Sequence, residues 1–477
     1  MKLSEYTEFD AVGLAALISR GEVKACEVKT AALAAIAAVN PELKAVIECW
    51  PEAESSRQGA LRGVPILIKD LGITEKGRRN ELGSRLAEGM IASEDSNLMQ
   101  RMKQSGLVVL GRTTTPELAA STTTEPRFNG GTRNPWNLAF SAGGSSGGSA
   151  VAVASGMVPA AHATDGGGSV RVPASVNGLF GVKPSRGRIS MGPAVDEVWS
   201  GLAVHGFITR SVRDSAALMD AMHGAFAGDP FQISPPRESF ALSAKTNPGR
   251  LRIGVMERPL NNSPCSSEVI HSLEKTISRL ASLGHHIESV TPDIGLSWEA
   301  FVEMNARFWA TNTAVWIDGL ASVTQRAINS DTLEASSLAL YALGRSLTAS
   351  DLSGAMHMRN TVTRKMGLFF QQYDLLLTPT LPHLPLKLGS YNANQRESEG
   401  REWMHHVFNQ SPFTALANIC GTPAMSVPSD ISEGLNLPVG MQFFAAFGGE
   451  SLLYNLAGQL ERAFPWQLTK PSVWAGH

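Results

Sequence analysis

An α/β layered fold is what this chain predicts, and three features predict it. Short apolar runs of strand length recur, at 63–70, 107–111, 158–163, 180–183, 251–255, 373–379 and 438–444. Segments with helical periodicity lie between most of them. Turn formers such as Asn40-Pro41, Gly106 and Gly284 separate the two kinds. Strands alternating with helices along a chain build layered sheets.

Taken in order, 11–19 and 24–39 read as helices. The second presents Val28, Ala31, Ala32, Ala35 and Ala38 on one face, and Asn40-Pro41 is expected to end it. Gly63-Val-Pro-Ile-Leu-Ile-Lys69-Asp70 reads as a buried strand ending in two charges. Residues 95–105 read as a helix and 107–111 as a strand. Residues 121–149 have no period and are rich in Thr, Asn, Gly and Ser. An irregular segment that long, between ordered strands, is usually functional. A helix start follows at 149–154, then strands at 158–163 and 180–183. Residues 226–250 are polar and Pro-rich, a candidate internal linker. Beyond it come a strand at 251–255, an amphipathic helix at 266–284, and helical sequence over 297–372 with breaks expected near Gly319 and Ser350. Strands at 373–379 and 438–444 and a helix at 450–462 complete the pattern.

Composition narrows the function. The formal net charge is -2, which offers no basic field for nucleic acid. No run of eighteen apolar residues marks a membrane span. The start, MKLSEYTEFD, lacks an apolar signal core. Cys26, Cys49, Cys265 and Cys420 are scattered, so a disulfide framework is not expected and a reducing cytoplasm is. No spacing of Cys or His predicts a metal site.

The chemistry concentrates between Ser141 and Arg171. Gly143-Gly-Ser145-Ser146-Gly-Gly-Ser149 leads into a helix, and Asp165-Gly166-Gly167-Gly168-Ser169-Val-Arg171 follows. Glycines ahead of a serine can curl so that several N–H groups point at one spot, a nest for an oxyanion. A flexible linker is the competing reading, but linkers rarely lie between strands. The P-loop and dinucleotide patterns are absent, and the nucleophile elbow does not fit the spacing. A serine hydroxyl needs a base, and His162 is the one histidine in this region.

These two blocks resemble the amidase signature family. So do Gly63–Asp70, Gly178-Leu-Phe-Gly-Val-Lys-Pro184, Asp374-Leu-Leu-Leu-Thr-Pro-Thr380, Gly421-Thr-Pro-Ala424 and Leu437-Pro-Val-Gly-Met-Gln442, in order along nearly the whole chain. The resemblance implies one amidase domain over 1–477, with a mixed β-sheet core covered by helices on both faces. It makes Ser169 the nucleophile, Ser145 a bridging serine on a cis Gly144–Ser145 peptide, and Lys69 the base. It places the oxyanion on the N–H groups of Gly166, Gly167, Gly168 and Ser169. Asp165 and Arg171 then read as a pair shaping the turn, and Ser146 as a supporting hydroxyl. Lys69 serves only when neutral, far below the ordinary lysine pKa of about 10.4. Burial at a strand end can achieve that, and an alkaline optimum is expected. Neither a metal nor an organic cofactor is required.

Ala119, Ala120 and Ser121 fall where the family lines its substrate pocket. Phe308 and Trp309 are further candidates for its wall, with core packing the competing reading. Thr123-Thr-Glu-Pro126, Thr132–Leu138, Arg186–Ser190 and Leu460-Glu-x-x-x-Pro-Trp466 resemble the bacterial 6-aminohexanoate-cyclic-dimer hydrolases within the family. The expected activity is therefore hydrolysis of C–N bonds in small amides through an acyl-enzyme. Carbamate (urethane) and aryl-acylamide hydrolysis remain open, as does a glutaminase subunit of an amidotransferase. The expected partner is a small-molecule amide, and a homodimer stays open.

Overall fold

In the computed structural model, which describes residues 1–56, 58–195, 197–391 and 398–477, eleven strands join into one mixed sheet. They are β1 (Val46–Cys49), β2 (Pro65–Lys69), β3 (Val108–Thr113), β4 (Ala160–Asp165), β5 (Phe180–Lys183), β6 (Val204–Thr209), β7 (Arg252–Val255), β8 (His286–Ser289), β9 (Leu375–Pro379), β10 (Ala424–Ile431) and β11 (Pro438–Ala445). Their order is β1-β3-β2-β4-β6-β5-β10-β11-β9-β7-β8. β2 runs parallel to β3 and β4, and β7 runs parallel to β8 and β9. The other neighbours are antiparallel. This is the α/β architecture with a mixed sheet expected above.

Strand alternation gives the sheet two buried faces. Leu375 and Leu377 of β9 join an apolar cluster with the helices Ala25–Leu43, Ser267–Ser282 and Glu450–Ala463. Leu376, between them, joins a second cluster with the helices Trp298–Thr324, Ala335–Ser346, Ala349–Gln372 and Gly400–Gln410. Phe443 and Phe444 of β11 divide in the same way. Side chains two apart share a face, so both faces must be covered, and helices cover them.

Several boundaries differ from the sequence expectation. The helix begun at Ala25 does not end at Asn40-Pro41 but runs to Leu43, and Lys44 closes it in the left-handed conformation. The ring of Pro41 removes a single N–H in the last turns, and Asn40 Oδ1 accepts from Ala45 N and Val46 N just beyond. Gly319 breaks nothing. It lies inside the helix Trp298–Thr324, and the chain turns at 325–334 instead. The second break falls at Leu347-Thr348, with Ser350 already in the next helix. Thr348 caps that helix by accepting from Asp351 N. Residues 226–250 contain one short helix, Phe240–Ser243, whose Phe240 is buried in the first cluster. Among the described residues no helix is long and apolar enough to cross a membrane.

The topology brings the C-terminal ends of β2 and β4 side by side. Lys69 ends one and Asp165 ends the other.

Candidate active site

Lys69 is fully buried. Its Nζ lies 2.7 Å from Ser145 Oγ and 2.8 Å from Thr164 Oγ1. Its backbone N–H donates to His162 Nδ1. Burial pushes the amine down to about 7, against the opposing pull of the Asp165 carboxylate. His162 lies against His205, with 3.0 Å between ring nitrogens. Burial first, and then His205 and Lys69, hold His162 well below the usual histidine range. Lys69 therefore sits on a neutral histidine, which adds no further charge.

Ser145 follows a cis Gly144–Ser145 peptide. Its carbonyl accepts from Thr115 Oγ1 at 3.1 Å. Ser146 Oγ donates to Thr164 O, and Thr164 N–H donates back to it. Ser146 thus ties the serine loop to the end of β4, five residues before Ser169.

The turn at 165–170 is organised by one carboxylate. Asp165 Oδ1 accepts from Gly168 N at 2.8 Å and Oδ2 from Val170 N at 3.1 Å. Arg171 Nε and Nη2 close a two-point ion pair on the same oxygens, with both side chains fully buried. Burial alone would raise the Asp165 carboxyl, but Arg171, Lys183 and Asn418 hold it below the ordinary carboxylate range. Arg171 also donates to Thr414 O, Gln442 Oε1 and Asn418 Oδ1, so β11 and the helix Ala415–Cys420 lock the turn from behind. Gly168 has φ +137°, and a methyl group there would meet Thr414 Oγ1 at 2.5 Å, so glycine is required.

The expected four-donor cradle needs one change. The Gly168 N–H is committed to Asp165, so it is not available for an oxyanion. The N–H groups of Gly166, Gly167 and Ser169 have no acceptor among the described residues. Ser169 is 8% exposed, just ahead of the helix Arg171–Val176. Its hydroxyl makes no hydrogen bond among the described residues, so the direct contact in the structure is between Lys69 and Ser145.

Ala119, Ala120 and Ser121 form a buried strip. Leu118 and Ala119 both have positive φ, 50° and 58°, a conformation that disfavours side chains. Trp403 Nε1 donates to Ala120 O at 3.0 Å. A methyl group at Gly144 would meet Thr123 O at 2.5 Å, so the segment following this strip packs on the cis peptide. Phe308 is buried in the second cluster. Trp309 is buried against Gly167. Among the described residues no group of acidic, His or Cys side chains is placed to hold a metal. Thr164, Asn418 and Thr414 were not legible beforehand. Thr164 had a weak signal, standing between the strand expected at 158–163 and the Asp165 block.

The Amidase family model matches residues 24–454. The chain belongs to the amidase family. It is 36% identical over 480 residues to the 6-aminohexanoate-cyclic-dimer hydrolase of Paenarthrobacter ureafaciens, covering 97% of this chain and 96% of that protein. A solved structure of a 6-aminohexanoate cyclic dimer hydrolase complexed with substrate superposes with a TM-score of 0.93 at 34% identity, covering 98% of this chain and 99% of the other. A bacterial aryl acylamidase of the amidase signature family superposes with a TM-score of 0.84 at 26% identity, over 96% of each chain. This amidase is thus a serine amidohydrolase that cleaves amide C–N bonds of small molecules.

Proposed function

We propose that this amidase works through Ser169, Ser145 and Lys69, on neutral small amides related to those of its cyclic-dimer-hydrolase relatives. The observation that carries the reading is the 2.7 Å contact between a fully buried Lys69 amine, lowered to about 7, and Ser145 Oγ. A neutral amine accepts a proton through its lone pair. Thr164 Oγ1, at 2.8 Å, occupies a second direction around the same nitrogen and steers that lone pair toward Ser145.

In the proposed reaction Ser169 Oγ attacks the amide carbon. Its proton passes to Ser145, and the Ser145 proton passes to Lys69. The oxyanion gathers on the N–H groups of Gly166, Gly167 and Ser169, held rigid by the Asp165–Arg171 pair. Each such donor is worth about 3–4 kcal/mol in the transition state. Protonated Lys69 returns a proton through Ser145 to the leaving nitrogen, the C–N bond breaks, and an acyl-Ser169 ester remains. Water then attacks the ester by the same relay, releasing the acid and restoring Ser169. A cytoplasmic location goes with this reading, supported by four cysteines that are all free.

The test joins labelling to kinetics. A fluorophosphonate should modify Ser169, located by peptide mass spectrometry. Ser169→Ala should lower kcat on an amide by about 10⁴-fold or more, with circular dichroism and thermal midpoint unchanged. Labelling at another serine, or turnover surviving in Ser169→Ala, would overturn the assignment. A panel of lactams, linear amides, anilides and carbamates ranks the substrate classes. The Paenarthrobacter relative favours a cyclic amide, and the aryl acylamidase likeness keeps anilides in the panel.

A further inference from the structure

Two tryptophans close on the glycine turn before Ser169. A methyl group at Gly166 would meet Trp199 Cε3 at 3.0 Å, and one at Gly167 would meet Trp309 Cζ2 at 2.9 Å. The two rings lie 4.2 Å apart between centroids, and Phe408 stands edge-on to Trp309 at 5.6 Å. Ala120 belongs to the same apolar cluster as both tryptophans.

Packing alone does not account for this pair. Trp199 and Trp309 are 4% and 3% exposed, and both indole Nε1 atoms are buried without an acceptor among the described residues. Leaving a buried donor unsatisfied is destabilising, and phenylalanine would fill space without that cost. The chain also invests in holding Trp199. Trp199 and Ser200 both have φ of 54°. Arg359 donates to Ser200 O, and Asn312 Nδ2 donates to Ser200 Oγ, from the two helices alongside.

We propose that Trp309 Nε1, with Trp199 as the facing wall, is a specificity-determining donor for a second acceptor oxygen on the acyl half of the substrate. This rests on the catalytic reading above and names the substrate class it serves: neutral acyl groups carrying an oxygen a few bonds from the scissile carbonyl. Cζ2, the atom a methyl group at Gly167 would meet first, is two bonds from Nε1, so the donor stands close to the glycine turn. The leaving amine must depart and water must enter during turnover, so the closed aromatic side suits the acyl group, which stays. An anion is disfavoured, because one neutral N–H between two indoles cannot replace its hydration.

The experiment compares butanoyl and methoxyacetyl 4-nitroanilides, which differ by one CH₂ replaced with oxygen, in wild type and Trp309→Phe. The wild-type preference for methoxyacetyl in kcat/KM, after division by the uncatalysed alkaline rates, should fall by about five- to tenfold in Trp309→Phe. Equal losses on both substrates, or an unchanged ratio, would overturn the proposal and leave Trp309 as packing. A second readout does not need turnover. In Ser169→Ala protein labelled with ¹⁵N-tryptophan, the Trp309 indole resonance, assigned by its loss in Trp309→Phe, should move downfield on adding the methoxyacetyl anilide and less with the butanoyl one. Equal movement with both defeats the proposal. Should wild type cleave neither anilide, the hydrolytic reading for anilides fails separately, and the resonance still decides the binding claim.

Discussion

A primary amine buried at the end of β2 carries its proton for only part of the pH range, and two consequences follow. The first is kinetic. With Lys69 lowered to about 7 by burial, kcat/KM on a neutral amide should rise through a limb centred near pH 7 and stay high above it. Lys69→Met should remove that limb along with most of the rate, as read from a pH–rate profile. Lys183 is also lowered to about 7, by burial and the Arg171 charge. A limb surviving in Lys69→Met would therefore move the assignment to Lys183. The second consequence is thermodynamic. Between about pH 7 and 10 the unfolded chain holds a proton on Lys69 that the folded chain has released, so folding gains stability as pH rises. Below pH 7 the cost of the buried amine is fully present. The unfolding free energy of wild type minus that of Lys69→Met should climb across this window by about 5 kcal/mol. A difference independent of pH would count against a neutral lysine.

At the scale of elements, the ends of the strands are held by buried ion clusters rather than by apolar contact. Arg112 on β3 pairs with Glu48 of β1, with Asp70 beside Lys69, and with Glu81. Asp70 Oδ1 and Oδ2 in turn accept from Glu81 N and Gly83 N. The cluster therefore fixes the chain immediately after Lys69. Arg112→Ala leaves two buried carboxylates unpaired and should cost about 3–5 kcal/mol, seen as a lower urea midpoint at unchanged slope. Burial raises Asp70 to about 6 even with Arg112 opposing it. A raised carboxylate stabilises the fold when protonated and loses that contribution as pH rises through its folded pKa. The deficit of Arg112→Ala should thus be larger at pH 8 than at pH 5, and the reverse order would refute this account.

At the scale of the whole molecule, both faces of one eleven-stranded sheet are covered and every catalytic candidate lies on the same chain. An isolated chain should therefore turn over small amides without a partner, which separates it from a glutaminase subunit that needs one. With a net charge of -2 and a neutral substrate, raising ionic strength about tenfold should change kcat/KM by less than about twofold. Activity that appears only with an added protein would overturn the single-chain reading.

What the sequence determined by itself is the local part. Ser145 and Ser169 sit in glycine-rich blocks whose composition already forces tight backbone, Lys69 ends an apolar run, and strands such as Phe180–Lys183 and Pro438–Ala445 are apolar runs that read directly. β6, with His205 and Gly206, and β10, with Pro428, carry no strand pattern, because burial on both faces and pairing to neighbours decide them. The structure alone decided that Thr164 shares the lysine, and that Trp199 and Trp309 meet over Gly166 and Gly167. Those contacts join residues from tens to more than a hundred positions apart. Spacing along a chain holds no information about such meetings, since they exist only once the sheet order has been set.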